Sequence, residues 1–176
     1  MACALTQGYS WAGCDGGPGG IIQIGFSELS NKSGSGSSVP TVTNGVITAW
    51  TLATGKVFRK YDVRPETAFF TDNATKDPKT GAYSYAPTVN LTLATLDTTM
   101  RQEILLLLQN NLMVITKDNS GVYRLAGYNY GMMVNTATGE SGTALQDGRK
   151  QVINLVGSET IPMYEVQDSL IATLMP

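Results

Sequence analysis

Residues 88–110, TVNLTLATLDTTMRQEILLLLQN, change their apolar spacing within a single run. Over 89–93 apolar residues alternate with polar ones, which is typical of a strand with one buried face. From about residue 97 the apolar residues recur at helical spacing, and Asp97 or Thr98 can cap the first turn. The run therefore predicts a strand followed by a helix over about 97–110.

The predicted helix carries an unusually wide apolar surface. Its stripe consists of Met100, Ile104, Leu107 and Leu108, and it is widened by Leu105 and Leu106. A helix with so broad an apolar face is ordinarily a core helix. We therefore expect it to lie against a sheet, with little of its surface in contact with water.

Most of the remaining chain carries strand signals. They fall at residues 20–29, 45–52, 56–64, 66–72, 83–96, 112–116, 122–130, 131–134 and 150–156. The glycine turn at 53–55 predicts a hairpin of the second and third segments, and the turn at 118–121 predicts another between its neighbours. Because Pro162 interrupts the last segment, 163–174 predict an edge strand or a short amphipathic helix.

This order of elements predicts the fold class. Many strands, one central helix and more strands favour a mainly β fold, a β-sandwich or barrel with one flanking α-helix at about 97–110. The length of 176 residues is that of one domain, so we predict a single domain over 1–176. Within it, glycine-rich residues 1–19 predict an arm that docks elsewhere, and serine-rich residues 30–40 predict a flexible loop.

Composition argues against several classes of function. The formal net charge of -2 does not favour a general nucleic-acid binder, because such proteins neutralise phosphates with clustered Lys and Arg. Lys56, Arg59, Lys60 and Arg64 are interleaved with aromatic residues, but lysines on a strand more often protect an exposed edge from unwanted pairing.

Catalytic and cofactor chemistry also finds little support. Histidine is absent, which excludes histidine-based triads and the commonest zinc ligand, and two cysteines cannot complete a four-ligand zinc site. The only Gly-Lys pair, Gly55-Lys56, lacks the rest of a phosphate-binding loop. Asp62, Glu66, Asp72 and Asp77 would be the acids of a carboxylate-only hydrolase, although acidic residues are mostly solvated. We predict no enzyme, no cofactor and no metal.

The first residues indicate no export or membrane insertion. Residues 1–7 lack the basic start and apolar run of a signal peptide, and no segment reaches the roughly 20 apolar residues that span a bilayer. We therefore expect the protein to fold in a cytoplasm, with Cys3 and Cys14 as thiols and no membrane partner.

Two parts of the chain resemble known proteins. The opening Met1-Ala2-Cys3-Ala4-Leu5-Thr6-Gln7-Gly8-Tyr9, with Cys14-Asp15 and Gly19-Gly20-Ile21, resembles the start of short virion-associated proteins in tailed phages of Bacteroidetes-type hosts. Residues 83–166 resemble the tail-tube fold of long-tailed phages. The resemblance rests on a strand, the helix, a strand ending in Lys117-Asp118, Tyr123-Arg124-Leu125-Ala126-Gly127, and Thr138-Gly139 through Asp147-Gly148.

The resemblance implies a tail-tube subunit. Its partners would be copies of itself, other tail or neck proteins, and genomic DNA that slides through the lumen. The ring would be a hexamer in which neighbouring sheets join into an inner barrel with the helix outside, and the protein would reside in the virion tail. The predicted self-assembly contacts are Tyr9, Trp11, Ser33, Ser35, Ser37, Phe69 and Phe70.

Two alternatives stay open at this point. A neck or head–tail connector ring would share the same fold. A monomeric binding or decoration module would instead expose Trp11, Trp50 and Tyr128 to a ligand such as a carbohydrate.

Overall fold

The computed structural model describes residues 18–32, 39–94, 97–144 and 146–176. Within these ranges the chain forms eleven strands and two α-helices. The strands are β1 (Ile21–Glu28), β2 (Thr41–Thr43), β3 (Val46–Ala49), β4 (Arg59–Asp62), β5 (Ala68–Lys76), β6 (Tyr83–Leu93), β7 (Leu112–Asp118), β8 (Tyr123–Ala126), β9 (Met132–Glu140), β10 (Lys150–Gly157) and β11 (Tyr164–Val166). The helices are α1 (Thr98–Gln109) and α2 (Asp168–Leu174), and Leu29–Lys32 form a 3-10 turn. The predicted mainly β fold is confirmed.

The eleven strands form one continuous hydrogen-bonded network, which consists of two sheets joined at a single residue pair. The large sheet has the order β4-β1-β7-β8-β11-β3-β2, and the small sheet has the order β9-β10-β6-β5. In the described ranges the two are hydrogen-bonded to each other where Leu112 of β7 pairs with Met132 of β9. Gly127 is required at this junction, because its φ is 73° and an added Cβ would lie 2.8 Å from the carbonyl oxygen of Leu112.

The first core fills the space between the two sheets. Ile24 and Val114 of the large sheet share it with Leu91 and Ile153 of the small sheet, and each is at most 1% exposed. Apolar residues alternate along β6 and β10, so each of these strands buries one face and leaves the other outside. The two sheets therefore form a sandwich, which is one of the two architectures that the sequence predicts.

A second core lies on the other face of the large sheet. Met113 and Ile115 of β7 point into it and are covered by Trp50, Phe58 and the helix α2. Strand β1 reaches the same layer at Gly25, where an added Cβ would lie 2.6 Å from the sulfur of Met175. The large sheet is consequently buried on both faces, and β7 is its most enclosed strand.

The predicted position of the central helix is confirmed, but its predicted burial is wrong. Asp97 caps α1, because its carboxylate accepts a hydrogen bond of 2.7 Å from the backbone N–H of Met100. Ile104 and Leu107 enter the first core, as predicted. The other three leucines, Leu105, Leu106 and Leu108, are about half exposed. The helix lies at the border of the sandwich, so only a narrow stripe of it finds a partner surface.

The hairpin predicted across residues 45–64 is wrong. The turn at 53–55 is present, with a 2.9 Å hydrogen bond from the N–H of Lys56 to the carbonyl of Ala53. However, β3 pairs with β2 and β11, whereas β4 pairs with β1. The two segments diverge because Trp50 and Phe58, on either side of the turn, both enter the second core. The hairpin of β7 and β8 is confirmed.

Residues 163–174, predicted to form either an edge strand or a short helix, form a strand followed by a helix. Strand β11 is followed by α2, so the amphipathic helix is present. The strand is not at an edge, because β11 lies between β3 and β8. Residues 1–17 of the predicted arm and 33–38 of the predicted loop lie outside the described residues.

Candidate assembly surfaces

The outer face of the small sheet is a broad surface without charge. Its side chains point away from the first core, alternating with the buried residues of each strand. The face consists of Phe69, Thr71, Asn73, Thr75, Ser84, Ala86, Thr88, Asn90, Thr92, Met133, Asn135, Thr136, Thr138, Val152, Asn154 and Val156. At one end the ion pair of Lys150 and Glu140, 3.0 Å apart, borders it. The surface therefore offers hydroxyl and amide groups together with apolar side chains, of which Phe69 and Met133 are large and exposed.

A row of asparagines crosses this outer face. The side chain of Asn135 donates to Asn154 at 3.2 Å, and that of Asn154 donates to Asn90 at 2.7 Å. The row connects β9, β10 and β6 in the hydrogen-bonding direction of the sheet. It fixes the orientation of polar groups on a face that has no buried apolar contacts to do so.

The small sheet has two long unpaired edges. Strand β5 pairs with β6 along nine residues, and strand β9 pairs with β10 from Met132 to Glu140. In the described part of the chain, β5 has no second strand partner, and β9 has none beyond Met132. By contrast, the edge strands of the large sheet, β2 and β4, have three and four residues. Long unpaired edges are the ordinary place for strand addition by another chain.

The hydrogen-bonding direction along β5 follows from one contact. The N–H of Thr92 donates to the carbonyl of Thr67 at 2.9 Å. In an antiparallel pair, hydrogen-bonded and non-hydrogen-bonded positions alternate along each strand. Every second residue counted from Thr67, beginning with Phe69, therefore points its N–H group to β6. The N–H groups of Phe70, Asp72 and Ala74 therefore point to the open edge.

The described candidate contacts, Phe69 and Phe70, lie on different faces. Phe69 is 55% exposed on the outer face, next to the open edge. Phe70 packs against the first core, with the Arg124 guanidinium 5.4 Å from its ring centre. Only Phe69 is placed to contact another molecule. Tyr9, Trp11, Ser33, Ser35 and Ser37 lie outside the described residues.

A groove separates α1 from the edge of the large sheet. It has a volume of about 300 Å3, and its lining includes the buried side chains of Phe26 and Leu112. Tyr61 of β4 forms one wall, and its hydroxyl donates to Glu103 of α1 at 3.4 Å. Burial and the neighbouring Glu103 carboxylate raise the pKa of Tyr61 to about 12. Leu106, half exposed, also lines the groove.

Two acidic side chains form hydrogen bonds that hold the connection between β10 and β11 in place. Glu159 is 4% exposed, and one of its carboxylate oxygens accepts hydrogen bonds from the N–H groups of Asn129 at 2.9 Å and Tyr130 at 3.1 Å. Asp72 accepts from the N–H of Met163 at 3.0 Å. Each carboxylate has a second oxygen that is buried without a hydrogen-bond partner. Nothing in the local sequence distinguished Glu159, because its donors come from a loop about thirty residues away.

The acids considered for hydrolysis have separate structural settings. Asp62 is exposed and lies 3.7 Å from Lys60. Asp77 accepts hydrogen bonds from the Thr80 hydroxyl and the Lys79 N–H in a turn, which hold its pKa below the ordinary value. In the described ranges no group of three or more acidic, cysteine or histidine side chains is arranged to hold a metal ion.

The aromatic residues proposed for a binding module are not available as a set. Trp50 is 2% exposed and packs edge-on against Phe58 and Tyr128. Tyr128 is itself half-buried, with the Lys32 ammonium 4.1 Å from its ring centre. These side chains build the second core and do not form an exposed aromatic platform.

Comparison with known proteins identifies no relative: no family model, no curated protein and no solved structure matches this chain. In the described ranges, no helix has both the length and the apolar character needed to cross a membrane.

Proposed function

We propose that this protein is a structural subunit that assembles with copies of itself into a ring, and that the ring is a segment of a bacteriophage tail tube. The observation that supports this most is the small sheet, which combines two long unpaired edges with an uncharged outer face. In an isolated chain such edges can pair with the strands of any other chain and cause aggregation. In a ring they are the contact between subunits.

The two edges suit pairing between different copies. Strands β9 and β5 lie at opposite ends of the same sheet, so β9 of one copy meets β5 of the next. Such a head-to-tail contact closes into a ring when the rotation between copies divides a full turn. Closure satisfies the free backbone groups, which is how barrels remove their edges.

Six copies would give a channel wide enough for a DNA duplex. Six four-stranded sheets form a barrel of about 24 strands, with a backbone diameter of about 45–50 Å at ordinary strand spacing and tilt. A DNA duplex passes through such a barrel. The outer face lines the channel, because the opposite face is packed on the large sheet.

The chemistry of the outer face fits a conduit. Phosphates bind where Lys and Arg are clustered. Among the described residues of the outer face the one cation, Lys150, is paired with Glu140 at one end. Threonine and asparagine side chains keep the wall hydrated without holding DNA. The partners are therefore copies of this chain, other tail or neck proteins, and DNA in transit, and the location is the virion tail.

Mass in solution and electron microscopy of the purified chain test this proposal. We expect annular or tubular particles with six copies per ring. Twelvefold rings would instead favour a neck or head–tail connector, and a monomer at all concentrations would overturn self-assembly.

A pair of variants tests the open edge itself. Ala74→Pro removes an N–H that points to the open edge and leaves the ladder with β6 intact, so we expect it to abolish rings while the circular dichroism spectrum is unchanged. Ala74→Ser keeps the N–H and should assemble as the parent does. Rings formed by Ala74→Pro would exclude the β5 edge as the contact.

A further inference from the structure

We infer that the N-terminal segment, residues 1–17, covers the open edge of β5 in its own chain while the subunit is free, and that β9 of a second copy displaces it when a ring forms. This inference rests on the proposed self-assembly and adds a control over it. It is carried by the direction in which the chain enters β1, by the backbone groups left open along β5, and by the length of the segment.

The chain enters β1 from the open side of β5. The carbonyl of Thr67 bonds to β6, so by alternation the carbonyl of Ala68 points to the open edge. That carbonyl oxygen lies 3.9 Å from the place that an added Cβ would take on Gly20. Pro18 in turn lines a surface depression together with Phe69. Followed backwards, the chain therefore runs along β5 from its first residue towards its middle.

This point of entry is held by the fold. Asn119, in the turn between β7 and β8, binds the carbonyl of Gly19 through its side chain and that of Gly20 through its backbone N–H, the latter at 3.2 Å. The segment consequently starts beside the edge of β5. The groove between α1 and β4 lies at the other end of β1, near Glu28. Among the described surfaces, the β5 edge is therefore the one that the segment meets at once.

Strand β5 offers open backbone groups along this path. The N–H groups of Phe70, Asp72 and Ala74 point to the open edge, and so does the carbonyl of Ala68. A chain that runs backwards along β5 is antiparallel to it. Such a chain takes up these groups by ordinary ladder pairing, as when a peptide adds a strand to a sheet.

The segment is long enough to reach the far end of β5. Residues of paired strands advance at the same rise, so Trp11 comes to about the level of Lys76. Lys76 is in register with Tyr83 of β6, which is 65% exposed and packs edge-on against Tyr85, with 6.4 Å between the ring centres. Tyr9 and Trp11 therefore arrive beside an exposed aromatic pair, which they shield from water.

The composition of the segment suits a cover that is displaced. It contains Gly13, Gly16 and Gly17, and glycine weakens a strand because it has no side chain to pack. Strand β9 offers nine strand residues with a single glycine. The neighbour's β9 is thus the stronger partner for the same edge. A free subunit meanwhile keeps this edge from pairing at random.

Hydrogen exchange of single amides, measured by NMR, tests the cover in the monomer. The parent is compared with a chain that lacks the N-terminal segment except for a starting methionine, both at a concentration too low for assembly. Truncation should speed exchange about ten-fold at Phe70 and Ala74, and far less at Thr71 and Asn73, whose N–H groups bond to β6. An equal change in both pairs, or none, would overturn the inference.

A second measurement uses the full-length chain and does not depend on how the truncated chain folds. In a Trp50→Phe chain, Trp11 is the only tryptophan. The emission of the monomer should lie at shorter wavelength than that of a synthetic peptide of residues 1–17, and should shift to longer wavelength as rings form. Monomer emission equal to that of the peptide would overturn the cover, and an unshifted emission on assembly would overturn its displacement.

The rate of assembly tests the control that the cover provides. The truncated chain should form rings with a shorter lag and at a lower concentration than the parent, because its edge is open from the start. Equal lags would overturn this control. A parent that is never monomeric, or whose amide protection disappears on dilution, would overturn a cover supplied by the same chain.

The outcomes also separate this inference from the proposed function. Rings that form equally from both chains, with no difference in amide exchange, would overturn the cover and leave self-assembly standing. Monomers that show the alternating exchange pattern and never form oligomers would support the cover and overturn self-assembly.

Discussion

The two sheets of this protein differ in how many faces they bury. The large sheet packs against the small sheet on one face and against Trp50, Phe58 and α2 on the other. The small sheet buries one face, and its other face carries uncharged polar and apolar side chains without a covering layer in the described part of the chain. A strand of the large sheet, such as β7, is consequently buried along five successive residues, whereas β10 alternates between buried and half-buried positions.

This difference assigns separate tasks to the two sheets. Burial on both faces provides stability, because apolar area removed from water is the main favourable term in folding. A sheet with one free face and two open edges pairs readily with other chains and promotes aggregation, unless such pairing is its function. We therefore expect substitutions in the large sheet to change folding, and substitutions on the outer face of the small sheet to change assembly.

The largest effect is expected in the middle of the large sheet. Ile115 of β7 is fully buried in the second core. Ile115→Ala should lower the free energy of unfolding by about 3–4 kcal/mol, because it removes buried methylene groups and leaves a cavity. Chemical denaturation followed by circular dichroism measures the loss.

A matched substitution on the small sheet sharpens the comparison. Val152 is half-buried on the outer face of β10. Val152→Ala should cost less than about 1 kcal/mol, since part of its surface is already in water. Equal costs at the two positions would contradict the division of tasks.

The next largest effect is expected where the two sheets are connected. Glu159→Ala removes the acceptor of two backbone N–H groups, those of Asn129 and Tyr130, which lose that hydrogen-bond partner. We expect a loss of about 2–3 kcal/mol, the range for hydrogen bonds to a charged group. Glu165→Ala, at an exposed position of β11, is the control and should change stability by less than about 0.5 kcal/mol. A small loss at Glu159 would show that water replaces the carboxylate there.

The sequence predicts the local elements of this fold better than its pairings. Helix α1 and the hairpin of β7 and β8 depend on neighbouring residues, so caps, turns and spacing are sufficient to find them. The pairing of β4 with β1 joins segments about forty residues apart, and the turn at 53–55 suggested a nearer partner. The spacing of apolar residues also shows that α1 has a wide apolar face. It does not show how much of that face the rest of the fold covers.

The candidate surfaces were predictable only in part. Alternation along β6 places Asn90 and Thr92 outside, so an uncharged face is visible in the sequence once the strand is assigned. Its extent depends on the register with β5 and β10, which no local signal gives. The same register separates Phe69 from Phe70, and it decides that one is exposed while the other packs on the core.

A smaller, pH-dependent effect is expected at the turn between β7 and β8. Burial raises the pKa of Asp118, but hydrogen bonds from Arg124 and from the N–H groups of Val122 and Ser120 outweigh it and hold the pKa below its ordinary value. The stabilisation is therefore complete above the unfolded pKa of about 3.9 and is lost as pH falls through the folded value.

Asp118→Asn tests this contribution. The variant should lose about 1–2 kcal/mol at neutral pH. The difference from the parent should shrink as pH falls below about 4, because the parent loses the same interactions there. Unfolding curves from pH 2 to 7 measure it, and a constant difference across that range would exclude the carboxylate charge as the cause. Asp147→Asn provides a comparison: hydrogen bonds from the N–H groups of Ala144 and Thr143 also lower the pKa of that carboxyl, but it lies in a fully exposed turn, so the pH-dependent difference should be smaller there.

The smallest effect on folding is expected in the row of asparagines on the outer face. Asn154 accepts from Asn135 and donates to Asn90, but all three are at least partly exposed, so water can replace these bonds. Asn154→Ala should therefore cost less than about 1 kcal/mol in chemical denaturation. Asn154→Lys should fold equally well and still form rings, yet the rings should retain DNA at low salt and release it as salt rises, because each copy adds a cation to the channel wall. Salt-independent passage of DNA through the lysine rings would place the outer face away from the channel, and would turn the small sheet to the outside of the particle.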